Sequence, residues 1–373
     1  MARAQASSAA PPAATSKRVC VIGAGAAGLA AARELRVEGH TVTVIEQGPG
    51  VGGVWAYEPE TDLTAGRAVH SSMYASLRTN LPRELMGYAA MPFAAGAFEG
   101  SRDARRFPGH AEVLAYLQAF ARSEGVEPLI RFGTAVRAVR PAGGGWAVSS
   151  SPSHSTTGDR ERREEYDAVV VANGHYSSPR VPGGIEGANS FKGELLHSHN
   201  YRSPKDFEGK RVVVLGAMAS GEDIAREIAS CASAVYLSAR TWQNPAWADD
   251  PSGFGERRNV WRRRNLEALG KDGSARFEGG AMEHDVDAVV FCTGYVYDFP
   301  FLDAEECGVA VEDNCVAPLW EHLLPPQHGA TLSFVGLPWK VVPFPQFELQ
   351  ARLVARALSG RAALPRAAEM AAG

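Results

Sequence analysis

The run Val19-Cys20-Val21-Ile22-Gly23-Ala24-Gly25-Ala26-Ala27-Gly28 decides how the rest of the chain is read. Four consecutive apolar residues mark a strand buried on both faces of a parallel sheet. The glycine turn opens a helix-forming stretch, Leu29 to Arg36, that ends at Gly39. A second strand, Thr41 to Ile45, follows and closes on Glu46. Strand, glycine turn, helix, strand and terminal acid together make a dinucleotide-binding βαβ unit. In it Gly23 permits the tight turn, Gly25 lets the backbone approach a diphosphate, and Gly28 packs helix against strand. Ala24, Ala26 and Ala27 complete the turn, whose helix N-terminus offers amides to phosphate. Glu46, at the end of the second strand, is placed to accept ribose hydroxyls. A glycine pair follows in Gly52-Gly53-Val54-Trp55. It lets the backbone come close to a flat ligand, with Trp55 as a wall.

A second unit begins at Lys210. Val212 to Leu215 reads as a buried strand, Gly216-Ala217-Met218-Ala219-Ser220-Gly221 as its turn, Glu222 to Ala229 as its helix and Ala234 to Leu237 as its second strand. Met218 stands where the second glycine belongs, so on pattern alone the turn reads equally as a nucleotide site or as a plain α/β turn. The end of the second strand favours the nucleotide. Ser238 takes the place of an acid, and Arg240 supplies a guanidinium for a 2′-phosphate. The first unit therefore suits an unphosphorylated ribose and the second NADPH.

Between and around these units the sequence is less specific. Residues 74–93 are aromatic and broken by proline, as fits a loop-rich binding wall or a structural connector. Residues 109–124 form an amphipathic helix, and 125–150 alternate as strands do. The polar stretch Ser149 to Glu165 reads as an exposed hairpin tip or loop. Tyr166 to Val171 is a buried strand that leaves the sheet at Asn173-Gly174, and Asp287 to Gly294 mirrors it. The pair of strand exits indicates one nucleotide domain with another inserted. Leu332 to Gly336 reads as a strand and Phe347 to Leu358 as a helix, separated by Pro343-Phe344-Pro345.

Bulk properties narrow the function. A formal net charge of −4 over 373 residues gives no electrostatic footprint for nucleic acid. The arginines at 257–258 and 262–264 read as a solvated face. Five cysteines without a Cys-x-x-Cys pair exclude a dithiol redox centre and a zinc site, no metal is called for, and the spacing suits a cytoplasmic location. No apolar run approaches the roughly 20 residues of a membrane span. Residues 1–16, rich in Ala, Ser and Pro, read as a disordered tail.

With these pieces in order the chain resembles the flavin-containing monooxygenases. Phe191, Gly193, His197 and Tyr201 have that family's FxGxxxHxxxY spacing, and they lie between the two glycine turns. The GGxW at 52–55, Thr79-Asn80, the FxTGY at 291–295 and the Gly-x-x-x-Ser-Gly-x-Asp at 216–223 agree over residues 17 to about 370. Gly-Ala-Met-Ala-Ser-Gly-Glu-Asp, with a bulky second position, is similar to the plant S-oxygenating branch of glucosinolate S-oxygenase type.

The resemblance implies a two-dinucleotide-binding flavoprotein fold of two Rossmann-like α/β domains. The FAD-binding domain would comprise 17–185 and 286–373, and an NADPH-binding domain, 186–285, would carry the fingerprint 191–201. It implies an N,N-dimethylaniline monooxygenase-type enzyme that uses NADPH and O2 to oxygenate a thioether or amine through a flavin C4a-hydroperoxide. Asn80 would hold that intermediate, and Thr79, His197, Thr293 and Gly294 would lie at the cofactors. For Asn80 a turn cap before Leu81-Pro82 is the competing reading. For His197 and His199 it is local backbone bonding, so the segment reads as a linker touching cofactor rather than a proton shuttle. Baeyer–Villiger enzymes end the fingerprint in Trp where this chain has Tyr201, auxin-forming relatives keep glycine at the position of Met218, and disulfide reductases need a missing cysteine pair. Family members continue past the equivalent of Gly373, which leaves a nucleotide-holding but inactive paralogue as the alternative. The substrate and the oligomeric state are not written in the sequence.

Overall fold

A computed structural model describes residues 15–154, 161–248 and 250–372. The chain folds as two compact units. The first comprises Met1–Ala56, Leu81–His175 and Tyr297–Gly373, and the second Tyr57–Asn80 and Tyr176–Val296. The chain therefore leaves the first unit twice.

In the first unit β1 (Arg18–Ile22), α1 (Ala26–Glu38) and β2 (Thr41–Ile45) form the βαβ element read from the sequence. α1 stops where Gly39 turns left-handed at φ 96° and sends its N–H back to the Arg36 and Leu35 carbonyls. After the first excursion come α2 (His110–Ser123), β3 (Ile130–Arg131), β4 (Thr134–Ala142), β5 (Gly145–Pro152), β6 (Arg162–Tyr166) and β7 (Ala168–Val171). The second unit then supplies β8 (Glu194–His197), β9 (Arg211–Leu215), α3 (Ala219–Ala229), β10 (Ala234–Ser238), β11 (Val260–Arg263) and β12 (Ala288–Phe291). The chain returns to the first unit with β13 (Leu332–Phe334) and α4 (Pro343–Leu358).

Each unit is built on one five-stranded parallel sheet. The orders are β13-β7-β1-β2-β3 and β11-β10-β9-β12-β8. In each, the glycine-turn strand, β1 or β9, lies at the centre of its sheet. Alternate residues of the first sheet face opposite ways. Val19, Val21 and Val170 meet α1, α2 and α4, while Cys20, Val169 and Val171 meet the antiparallel sheet β4-β5-β6. Both faces are covered, which is why the strands are continuous apolar runs.

Several sequence expectations change here. The stretch 149–165 is not simply a loop. Its ends are the paired strands β5 and β6, with Ser150 and Ser151 buried, while its centre, 155–160, lies outside the described residues. The sequence pattern returns the chain to the first domain at β12. In the structure β12 pairs with β9 and β8 instead, so the second unit runs to Val296 rather than 285 and already holds Tyr176–Ile185. It also takes Tyr57–Asn80, which the sequence pattern assigns to the first domain. Pro343 and Pro345 open α4, where proline is tolerated because first-turn amides have no intrahelical partner. The 191–201 linker contributes β8 as a sheet edge. Of the tail at 1–16, residues 1–14 lie outside the described ones, whereas Thr15 N–H bonds to the Ser359 carbonyl and the Ser16 hydroxyl to that of Gly39.

Of the arginine cluster, Arg257 and Arg258 are exposed, as the sequence suggests, but 262–264 are half-buried and not a solvated face. Arg262 sits over Phe254, Trp247 and Trp242 at 3.9, 4.6 and 5.6 Å from the ring centres. Arg263 pairs with Glu283, and Arg257 donates to the carbonyls of Ala229, Ser230 and Ala232.

Candidate functional site

The two glycine turns share one backbone geometry. Gly23 donates its N–H to the Ile45 carbonyl at 2.9 Å, and Gly216 donates to Ser238 at 2.8 Å. Both have φ near +105°, and a Cβ at either would meet the carbonyl oxygen of the neighbouring strand exit, Ala172 at 2.6 Å or Cys292 at 2.4 Å. At Gly28 and Gly221 a Cβ would fall 1.9 and 1.7 Å from the oxygen of the turn's own first glycine. These four glycines are required by the protein's packing alone.

Gly25 differs. Its φ of −76° and ψ of −176° are open to any residue, and an added Cβ would only touch Gly53 Cα at 3.5 Å. The backbone asks for no glycine there, so the missing side chain leaves a cradle for a ligand. Ala26 and its helix carry no side-chain cap at Gly25, so the first-turn amides are oriented for an anion. Met218 holds the same backbone shape, φ −86° and ψ −174°, at the uncapped start of α3. Its side chain is 57% exposed, so the thioether points away from the fold and the turn keeps its geometry. Ala219 and Ser220 are exposed beside it, and Ala217 half-buried.

Glu46 does more than wait for a ribose. Its buried carboxylate accepts the N–H of Ala24 and of Gly48, each at 2.6 Å, and so ties strand end to glycine turn. Gly52 N–H bonds to the Ala24 carbonyl at 3.1 Å, which lays the glycine pair along the turn. The approach is close enough that Gly53, at φ 55°, would put a Cβ 2.9 Å from Gly25 Cα. Trp55 is half-buried at the end of this turn. In the second unit Arg240 follows β10, exposed and with no hydrogen bond or ion pair among the described residues.

The fingerprint stretch acts as a clasp within the second unit. His197 accepts the His199 N–H on Nδ1 and donates from Nε2 to the Gly294 carbonyl, both at 3.0 Å. Both ring nitrogens are thereby used inside the protein. The cofactor contact expected of His197 thus has no ring nitrogen left to make it. Burial pushes the ring down to about 4, so it is neutral near pH 7. Thr293 and Gly294 belong to this unit too, bonded to Arg180 and His197.

His199 Nε2 donates to the Val69 carbonyl at 2.9 Å, and Asn200 accepts the Asp62 N–H at 3.1 Å. The Arg202 guanidinium, buried, donates to the carbonyls of Glu58, Glu60 and Ser71. Every one of these partners lies in the 57–80 excursion. The other end of the excursion docks on α3. Tyr74 donates to Asp223, and Ser76 and Tyr201 donate to the two oxygens of Glu227, the last at 2.8 Å. Burial first, then the adjacent carboxylates, push both tyrosine hydroxyls well above the usual phenol range, so they remain donors. Thr79 is buried and Asn80 exposed at the end of this excursion. Asn80 makes no side-chain hydrogen bond among the described residues, so it does not act as a turn cap.

Tyr74, Ser76, Arg202 and Glu227 carry no motif that would single them out in the sequence. Of the groups that hold the excursion, Tyr201 and Asp223 stand at motif positions.

The family model for flavin-binding monooxygenase-like proteins matches residues 16–248 and 259–373. The chain belongs to that family. This flavin-binding monooxygenase is 47% identical over 367 residues to flavin-containing monooxygenase FMO GS-OX-like 2 of Arabidopsis thaliana, covering 96% of this chain and 77% of the relative. Among solved structures it is similar to the S-allyl-L-cysteine S-oxygenase of Allium sativum, with TM-score 0.87 and 43% identity over 96% of this chain and 80% of that one. It is also similar to Tmm from a Pelagibacter species, with TM-score 0.80 and 26% identity over 95% and 78%. The monooxygenase thus falls in the plant S-oxygenase-like branch, and FAD and NADPH are its cofactors. No helix among its described residues is long and apolar enough to cross a membrane.

Proposed function

We propose that this monooxygenase uses NADPH and O2 to oxygenate the sulfur of a small thioether, with amines as the secondary substrate class. The carrying observation is the paired glycine turns. In the first, Gly25 lacks a side chain that the packing would tolerate, and in the second Ser238 stands in place of the ribose-binding acid with Arg240 two residues beyond it. The likeness to an S-allyl-L-cysteine S-oxygenase supports the choice of sulfur.

In this reading Gly25 and the start of α1 hold the FAD diphosphate and Glu46 its ribose. Met218, Ala219 and Ser220 at the start of α3 lie along the NADPH diphosphate, and Arg240 pairs with its 2′-phosphate. Once bound, the two cofactors supply the electrons and the site for O2 activation. The protein's part is to exclude water and to orient hydrogen-bond donors, because a soft nucleophile needs little acid–base help. Asn80 supplies one such donor, its amide free of competing bonds. The location is proposed as cytoplasmic on the scattered, unpaired cysteines.

The test is a screen of methylthio compounds against tertiary amines with product identification. Sulfoxides formed in step with NADPH consumption support the reading. N-oxides alone would move the substrate class to amines, and NADPH oxidation that yields only hydrogen peroxide for every compound would refute it.

A further inference from the structure

Asp223 and Glu227 stand four residues apart on α3 and so share one face of that helix. α3 is the helix whose uncapped start is assigned to the pyridine-nucleotide diphosphate. Three hydroxyls converge on the two carboxylates: Tyr74 on Asp223, and Ser76 with Tyr201 on Glu227. The rings of Tyr74 and Tyr201 meet edge to face at 5.4 Å, and the Arg202 carbonyl accepts the Ala75 N–H at 3.1 Å. Residues 74–76 are thus fixed from two sides, and Asn80 lies four residues beyond them. A connector with no task would not need two carboxylates, a buried guanidinium and a buried tyrosine pair to hold it.

We propose that Asp223 and Glu227 are positioning residues for oxygen transfer. Through Tyr74, Ser76 and Tyr201 they fix the excursion 57–80 to the nucleotide-binding helix, so that Asn80 is set in place by the NADPH unit. The inference rests on the donor role proposed for Asn80. It adds that oxygen transfer depends on hydroxyl–carboxylate bonds to a helix that also binds NADPH. Breaking the clasp should leave NADPH binding intact and divert reduced oxygen from sulfoxide to hydrogen peroxide.

The test uses Tyr74→Phe combined with Tyr201→Phe, which removes two hydroxyls and keeps both rings. In the apoprotein, amide hydrogen exchange across 62–80 should rise roughly ten-fold or more while β9 and α3 keep their protection, since each lost bond to a charged acceptor is worth about that factor. In the FAD-loaded enzyme the ratio of hydrogen peroxide to sulfoxide should rise about ten-fold, with the KM for NADPH within about two-fold of the parent. Unchanged exchange, or faster exchange with an unchanged ratio, overturns the inference. Asn80→Ala runs alongside. If it raises the ratio and the clasp variant does not, the inference alone fails. If Asn80→Ala leaves the ratio unchanged, the donor role fails and takes the inference with it. Ser76→Ala, at an exposed site, carries the same test should the double variant fold poorly.

Discussion

Gly25 and Gly28 lie one turn apart in the same motif, and the structure predicts opposite consequences for the same substitution. In Gly25→Ala the new methyl meets nothing closer than Gly53 Cα at 3.5 Å, and its backbone angles suit alanine. The fold should lose nothing, and could gain about 0.4–1 kcal/mol from a stiffer unfolded chain. The cofactor should suffer, because a methyl forced into a packed contact costs about 1–3 kcal/mol, or roughly 5- to 150-fold in FAD affinity. In Gly28→Ala the methyl would sit 1.9 Å from the Gly23 oxygen, so α1 cannot dock on β1 and the first unit should not fold stably. Thermal unfolding of the flavin-free proteins gives the first quantity, and titration of FAD by fluorescence quenching gives the second. Gly25→Ala with parental FAD affinity would refute the assignment of that turn to the diphosphate. Early unfolding of flavin-free Gly25→Ala would show instead that this glycine serves the fold.

Three further outcomes rest on the same geometry. Arg240→Ala should weaken NADPH far more than NADH, because only the former carries the 2′-phosphate; equal losses, measured as KM for each, contradict the pairing. Glu112, buried, accepts from Arg83 at 3.0 Å, from the Ser101 hydroxyl and from two backbone amides, so Glu112→Ala should cost about 3–5 kcal/mol in chemical denaturation. A loss under about 1 kcal/mol, the range of an exposed pair, would mean that this one is not desolvated. His197 is held near 4 by burial, below its ordinary 6.5, so the unfolded chain takes up a proton that the folded one refuses. Its stabilisation is complete above about pH 6.5, falls by at most about 3 kcal/mol as the pH drops to about 4, and changes no further below. His197→Gln should flatten that part of the stability–pH curve, and an unaltered slope would count against the buried neutral ring.

The parts legible in the sequence are those whose physics is local. A buried parallel strand, a turn that needs positive φ at Gly23 and Gly216, and a helix closed by Gly39 each leave a pattern within about twenty residues. The features that escape a reading of the sequence depend on partners far apart in the chain. Tyr74 and Asp223 are 149 residues apart, and no spacing rule joins them. The two strand exits, Ala172 and Cys292, look alike because they do the same job in different sheets, which is why the pattern alone puts β12 in the wrong unit. Ser149 to Ser151 look like a loop because serine is a turn residue, yet here β5 pairs on both sides and buries two of the three. The cluster at 262–264 looks solvated because a charge pattern says nothing of Trp242, Trp247 and Phe254, which cover Arg262. Met218 is the reverse case. In the sequence it looks like damage, and its extended backbone and outward side chain show that the turn survives it.

In the proposed function, FAD held at the Gly25 turn and NADPH held at the Met218 turn serve to place one atom of O2 on a thioether sulfur. The direct measurement is turnover of the FAD-loaded protein with NADPH and a methyl thioether under ¹⁸O₂, with the product analysed by mass spectrometry. The expected product is a sulfoxide two mass units heavier than under ordinary oxygen, formed in proportion to the NADPH consumed. An unlabelled sulfoxide, or NADPH oxidised with labelled peroxide as the sole product, would contradict that function.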